Sequence, residues 1–122
     1  MNEGPVYKKS AEFSEKVIDL YKIMIQKHEM VISKQLLASA TSVGANVSEA
    51  SAASSRKDFI NKMTIASKEA RESKYWLELI QSSQIIEVDV SELLGLNYEL
   101  IKLLNSIILT SKGKPRVKKD NS

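Results

Sequence analysis

The sequence predicts an all-α fold, an antiparallel up-and-down four-helix bundle, and two observations carry the prediction. Both prolines, Pro5 and Pro115, lie near the chain ends, and only Gly44 and Gly95 interrupt the long interior. Within that interior, apolar residues recur at the three- and four-residue spacing of an amphipathic helix. Few helix breakers and a helical period favour long helices over a sheet with many turns. Short links between helices of about 30 Å force successive helices to run antiparallel.

The first two predicted helices cover residues 8–27 and residues 32 or 33–53. The first has an apolar stripe through Phe13, Val17, Leu20 and Met24, and it ends at the polar group around His28. The second is rich in small residues, which allow close approach of a neighbouring helix. Gly44 within it costs about 1 kcal/mol of helix propensity relative to Ala. We therefore expect a packing reason or a bend at Gly44. Its inward positions are Ile32, Leu36, Ala40, Val43, Val47 and Ala50.

The third and fourth predicted helices are bounded by capping residues. Ser55 followed by Asp58 is typical of a helix N-terminus, in which the serine accepts from the backbone three residues on. Near residues 87–89 the third helix ends, and Asp89 or Ser91 caps the fourth, which covers residues 91–110. The inward stripe of the third helix is predicted to be Phe59, Met63, Ala66, Ala70, Ser73, Leu77 and Ile80.

The charge distribution divides the chain into a bundle domain, residues 1–111, and a basic tail, residues 112–122. The whole chain has a formal charge of +3. Residues 111–122 carry Lys112, Lys114, Arg116, Lys118 and Lys119 against Asp120, a net +4, so 3 − 4 leaves the other 110 residues at −1. The tail has almost no apolar side chain, which predicts disorder.

Composition excludes several functional classes. Without cysteine there is no disulfide framework and no thiolate metal site. The N-terminus lacks the apolar region of a signal peptide, and no run approaches the 18 or so apolar residues of a membrane span. We therefore expect a cytoplasmic protein that does not enter a membrane. His28 is the only histidine, so the paired Glu-x-x-His units of a di-iron bundle cannot form, and we predict no metal and no cofactor.

No catalytic constellation stands out. Acid–base catalysis needs paired carboxylates in a cleft, for which Glu49, Glu69 and Glu72 are the candidates. The last two share a helix with Lys68, Arg71 and Lys74, and mixed charge at this spacing is typical of a solvated face. The sequence predicts that the protein is not an enzyme.

The fourth helix is apolar on two sides, which predicts self-association. One stripe contains Leu93, Leu96, Leu100, Leu103 and Ile107. A second stripe, rotated by about 100°, contains Leu94, Tyr98, Ile101, Leu104 and Ile108. One bundle core buries roughly one stripe, so we assign the second, with Trp76 of the third helix, to a contact with another chain. The alternative is a wide apolar face buried in a broad core.

Several motifs resemble the bacterial 23S rRNA-intervening-sequence protein family of four-helix bundle proteins. They are residues 42–50, Ser-Val-Gly-Ala-Asn-Val-Ser-Glu-Ala, with Ser55-x-x-Asp58-Phe59 and a downstream Glu72. Asn46-x-x-Glu49 and Phe59 are the specific part of the match. Gly44 stands where many members have proline, and Ala50 where many have glycine, so the bend after the signature is expected to be softer.

The resemblance implies an antiparallel bundle that assembles into a homopentamer, in a family whose molecular function is mostly undefined. A similar accessory protein of diversity-generating retroelements binds nucleic acid and a reverse transcriptase. For Asn46 and Glu49 two interpretations stay open. One is a structural bond across to Lys68, Arg71 or Glu72 that sets the helix register, and the other is direct ligand contact.

Two functions follow from these features. The first is a non-enzymatic, oligomeric module that binds RNA or DNA backbones through the five basic tail residues, since each can neutralise a phosphate. No aromatic residue interleaves them, so base stacking from the tail is not expected. The second is a protein–protein interaction scaffold or accessory subunit that does not bind nucleic acid.

Overall fold

The computed structural model describes residues 4–113, and all four secondary-structure elements in that range are α-helices. They are α1 (Pro5–Gln26), α2 (Ile32–Ala50), α3 (Arg56–Ser83) and α4 (Ser91–Ser111). The prediction of four helices and an all-α fold is confirmed. The predicted tail, residues 112–122, lies outside the described residues except for Lys112 and Gly113.

Two helix boundaries differ from the prediction, each for a local reason. Helix α1 begins at Pro5 rather than near residue 8, because proline at the first helical position needs no hydrogen-bond acceptor. Helix α2 ends at Ala50 rather than near residue 53. The next amides, from Ser51 to Ala53, instead donate to carbonyls three residues earlier, which tightens the chain into a turn.

Side-chain and backbone contacts show which parts of α1 and α2 lie against each other. Ser14 of α1 donates to the carbonyl of Ala40 in α2, and a Cβ added to Gly44 would lie 3.1 Å from the Ser14 oxygen and 3.6 Å from the carbonyl oxygen of Ser10. The packing reason expected for Gly44 is therefore this close approach of α1. Early residues of α1 thus meet late residues of α2.

The α1–α4 pair follows the same order. Lys9 lies 3.1 Å from Glu99, whereas Lys16 lies 3.3 Å from Glu92. Helices α2 and α3 are linked by the hydroxyls of Ser39 and Ser73, 2.9 Å apart. Each helix contacts its two neighbours in the sequence α1–α2–α3–α4–α1.

One apolar core runs through the bundle. The predicted inward positions of α1, α2 and α3 are buried, except that Ile32 and Phe59 are only partly buried against the core. Helix α4 differs from the prediction, because Ile101 is 7% exposed and Leu104 is fully buried, while Leu103 and Ile107 are only half-buried. The inward side of α4 is therefore rotated from the predicted stripe toward Asn97, Ile101 and Leu104.

Helix α4 is also the one described helix that is long and apolar enough to cross a membrane by length and composition. A core helix passes the same test, and α4 contributes the fully buried Leu100 and Leu104 to the core. Packing inside the bundle explains part of its hydrophobicity, since 33% of the apolar window is buried there.

Candidate interaction surfaces

The two ends of the bundle carry different side chains. We call the end formed by the start of α1, the start of α3 and the end of α4 the basic end. A groove of about 390 Å³ brings together the start of α1, the start of α3 and the end of α4, lined at its edges by Pro5, Phe59 and Ser111. Four exposed cationic side chains belong to these helix ends: Lys8, Arg56, Lys57 and Lys112.

The acidic residues near the basic end are few. Asp58 is engaged in the N-terminal cap of α3, where its backbone amide donates to the Ser55 hydroxyl at 3.0 Å and its carboxylate accepts from the Ser54 amide. This confirms the predicted cap. Glu49, near the end of α2, is exposed. The four cations of the basic end make no ion pair with another described residue.

Of the five predicted phosphate-binding residues, only Lys112 is described. It follows the last residue of α4 and is exposed, and Gly113 after it adopts a φ of 80°, which turns the chain. Lys114, Arg116, Lys118 and Lys119 lie outside the described residues. The described start of the tail, Lys112 and Gly113, therefore lies at the basic end, where Ser111 and Phe59 line one groove.

The opposite end holds the two connections at residues 27–31 and 84–90, and a buried carboxylate there stabilises the start of α2. Glu29 is 9% exposed and accepts from the backbone amides of Val31, Ile32 and Ser33 at 3.1, 3.0 and 2.7 Å. It thereby satisfies the amides at the N-terminus of α2. The Ser33 hydroxyl donates back to the Glu29 carbonyl at 2.7 Å.

His28 has a structural role at this end too. Its φ is 66°, and the amides of His28 and Glu29 donate to Ile25 and Met24, which is the hydrogen-bond pattern of a Schellman motif. The prediction of His28 near a helix C-terminus is confirmed, in a conformation that glycine usually adopts.

The family-signature residues lie on several surfaces and do not converge. Asn46 donates to the carbonyl and hydroxyl of Ser42, one turn back on α2, at 2.9 and 3.2 Å. The predicted bond from Asn46 across to α3 is therefore wrong, since the amide group is satisfied within its own helix. The Glu49 carboxylate makes no ion pair with a described residue, whereas the Glu49 backbone carbonyl accepts from the Ala52 amide at 3.0 Å. The structural bond predicted for the Glu49 side chain is therefore absent from the described residues. Phe59 lines the groove at the basic end.

Glu72 and Glu69 form a carboxylate pair on the outer side of α3 rather than in a cleft. Glu72 is exposed and accepts from the indole nitrogen of Trp76 at 3.3 Å. Partial burial, and then the charge of Glu72, raise the pKa of Glu69, which Lys68 opposes. In the described part of the chain, no group of three or more His, Asp or Glu could hold a metal ion.

The residues predicted to form an oligomer surface differ in their exposure. Tyr98 is 57% exposed, with the Lys102 ammonium 5.3 Å from its ring centroid, while Leu94, Ile108 and Trp76 are half-buried. The assignment of Ile101 and Leu104 to a contact with another chain is wrong, because both side chains lie inside the bundle's own core. Exposed Tyr75 packs edge-to-face on Trp76 and extends the apolar surface of α3.

Buried polar residues were missed by sequence reasoning. Asn97 is fully buried and donates to the carbonyl of Ala70 at 3.0 Å, and Ser67 donates to Asn105 at 3.3 Å. These bonds link α3 to α4. An asparagine within an apolar run was the available signal, since a buried amide needs a partner on the facing helix.

The fold and surfaces define a class of protein, an all-α four-helix bundle whose described surface offers charged and apolar patches. The chain belongs to the 23S rRNA-intervening sequence protein family, whose profile matches residues 2–106. The predicted resemblance is confirmed.

A solved structure resembles this chain in sequence and fold. The chain is similar to a protein with unknown function from the S23 ribosomal protein family of Bacteroides thetaiotaomicron VPI-5482, with 48% sequence identity and a TM-score of 0.78. The match covers 84% of this chain and 97% of that one. No match was found among curated proteins.

Proposed function

We propose that this protein is a non-enzymatic, cytoplasmic module that binds RNA or DNA backbones through its basic end and tail. The observation that carries the proposal is the position of Lys112. It places the start of the five-cation tail at the end of the bundle that already exposes Lys8, Arg56 and Lys57. Exposed cations that share one end of the bundle and make no ion pair with a described residue favour contact with phosphates over small-molecule chemistry.

The proposed contact is directed at the backbone and tolerant of sequence. Lysine and arginine neutralise phosphates without reading bases, and the tail contains no aromatic residue for stacking. The family's description links it to intervening sequences of 23S rRNA, which makes RNA the first ligand to test.

The experiment measures RNA and DNA binding by the full chain at low and moderate salt. In the test variant, all five tail cations are replaced by glutamine, which keeps the length of the tail. The control variant carries the same replacement at the opposite end, at Lys22, Lys27 and Lys34. If the five tail cations and Lys8, Arg56 and Lys57 all contact phosphates of a duplex, we expect micromolar binding whose log affinity falls with log salt at a slope of about −7.2, that is, eight contacts at about 0.9 each. The tail variant should lose this binding and the control should keep it. Absence of binding by the unaltered chain at low salt would refute the proposal.

The assembly proposed with this function is an antiparallel bundle that forms a homopentamer, as the family resemblance implied. The exposed Tyr98 with half-buried Leu94, Ile108 and Trp76 is the contact surface that the fold leaves available. Sedimentation should give five chains of 13.6 kDa, about 68 kDa. Tyr98→Asp should dissociate the assembly, whereas Ile101→Asp would unfold the subunit, because Ile101 belongs to the core. A mass near that of a single chain would contradict the assembly.

A second function, a protein–protein scaffold or accessory subunit, is favoured by the exposed apolar residues outside the basic end. Four of these residues lie around the opposite end: Ile23 is 42% exposed, Met30 46%, Val31 72% and Ile85 52%. Affinity purification from native lysate distinguishes this function. Recovery of the protein with itself alone would count against it.

A further inference from the structure

The opposite end contains a second groove, called the acidic groove here. It has a volume of about 330 Å³ and lies between α1 and the connection that precedes α4. Its floor is apolar: Leu20 and Leu93 are 6% and 8% exposed, and Ile23 is 42% exposed. Three carboxylates surround this floor, from Asp19, Asp89 and Glu92.

The rim of the acidic groove carries net negative charge. Asp19 is exposed and makes no ion pair with a described residue. The amide and hydroxyl of Ser91 donate to Asp89 and hold the pKa of that carboxyl below its usual range. Glu92 is paired with Lys16 at 3.3 Å and keeps 80% of its side chain exposed. Three carboxylates therefore face one lysine, Lys16, in the groove. Two further lysines are outside its lining: Lys22 lies on α1, and Lys27 directly follows the last residue of α1.

An apolar floor inside an acidic rim fits a basic segment that carries one apolar side chain. The tail of this chain has that composition: Val117 is flanked by Arg116 on one side and by Lys118 and Lys119 on the other. The groove at the basic end has no carboxylate in its lining, so it offers the same segment no charge complementarity.

We propose that the acidic groove docks the basic tail of a second copy of this chain, with Val117 on the apolar floor and its basic neighbours against Asp19, Asp89 and Glu92. The chain's own tail cannot reach. Helix α4 has 21 residues and is about 30 Å long, whereas the four Cα–Cα steps from Gly113 to Val117 span at most about 14 Å. The contact therefore joins two copies end to end, and each copy contributes one tail and one groove.

The test uses no nucleic acid, so it stands apart from the proposed function. A fluorescent synthetic peptide with the sequence of residues 112–119 is titrated with the full chain at low salt, and fluorescence anisotropy is measured. We expect saturable binding that weakens as salt rises. Asp19→Lys should weaken it about tenfold, because the variant reverses one of three charges that face a cationic peptide.

Two matched controls separate groove binding from general attraction. Glu12→Lys makes the same charge change two turns earlier on the exposed side of α1, and it should alter the affinity less than about twofold. Replacing Val117 by serine in the peptide removes the apolar contact at constant charge, and it should weaken binding about threefold. Thermal melts confirm that each variant is folded, and Asp19→Asn, with an expected loss of about threefold, replaces Asp19→Lys if that variant is not. Equal losses in the two charge variants, or no saturable binding, would overturn the proposal.

Discussion

The two ends of this bundle carry similar residue types and use them differently. At the opposite end, Glu29 is buried and bonded to three backbone amides, and His28 adopts a positive φ to end α1. At the basic end, Lys8, Arg56, Lys57 and Lys112 are exposed and make no ion pair with a described residue, and a positive φ falls on Gly113. The opposite end thus buries a carboxylate that caps a helix and exposes cations together with carboxylates such as Asp19 and Asp89, whereas the exposed charges of the basic end are mostly cations.

The largest expected effect is the difference in stability between alanine variants of two glutamates, Glu29 and Glu49, which lie near the two ends of α2. Glu29→Ala removes three hydrogen bonds to a buried helix N-terminus and should lower the free energy of unfolding by about 2–3 kcal/mol. Glu49→Ala removes an exposed side chain and should change it by less than about 0.5 kcal/mol. Urea denaturation measures both. Similar losses in the two variants would assign a structural role to Glu49 and remove this contrast between the ends.

Backbone conformation gives the second comparison. His28→Gly relieves the left-handed conformation of a non-glycine residue and should raise the free energy of unfolding by about 0.5–1 kcal/mol. Lys27→Gly, one residue earlier at a φ of −90°, has no such strain to relieve and should lower it. Thermal unfolding of both variants measures the difference. A loss of stability in His28→Gly would show that the imidazole itself contributes to the end of α1.

The smallest effect concerns Glu69 and depends on pH. Its pKa is raised by burial and by Glu72, so the folded state holds this proton more tightly than the unfolded state does. The ionised carboxylate is therefore unfavourable to folding above its folded pKa, and this cost disappears as the pH falls below the unfolded value. Glu69→Gln should be slightly more stable than the unaltered chain at neutral pH and lose that advantage near pH 4. An advantage independent of pH would show that charge is not its cause.

The helices could be predicted because residues in the sequence mark where most of them begin and end. Proline, the Ser55 cap and three- and four-residue apolar spacing are local signals, and local signals determine helix limits within a few residues. Glu29 was missed as a capping residue because it lies two residues before Val31, outside the usual capping position. His28 was not expected at a positive φ, since glycine or asparagine is usual there.

Neither the core-facing side of α4 nor the hydrogen-bond partner of the signature residue Asn46 could be assigned from sequence. A helix that is apolar around most of its circumference carries little information about which side faces the core, so Leu104 was placed outside and Leu103 inside. Asn46 could have bonded across to α3 or back along its own helix, and both options are compatible with its position in the sequence. Such choices depend on the distance between helices, which the sequence does not state.

The central claim is that cations at the basic end, rather than cations in general, bind nucleic acid. The most direct measurement is the salt dependence of RNA affinity in two charge-matched double variants of the full chain, Arg56→Gln with Lys57→Gln, and Lys27→Gln with Lys34→Gln. If both residues of the first pair contact phosphates of a double-stranded RNA, the slope of log affinity against log salt should become shallower by about 1.8. The second pair should leave the slope unchanged. Equal changes in the two variants, or a change confined to the second, would contradict the account.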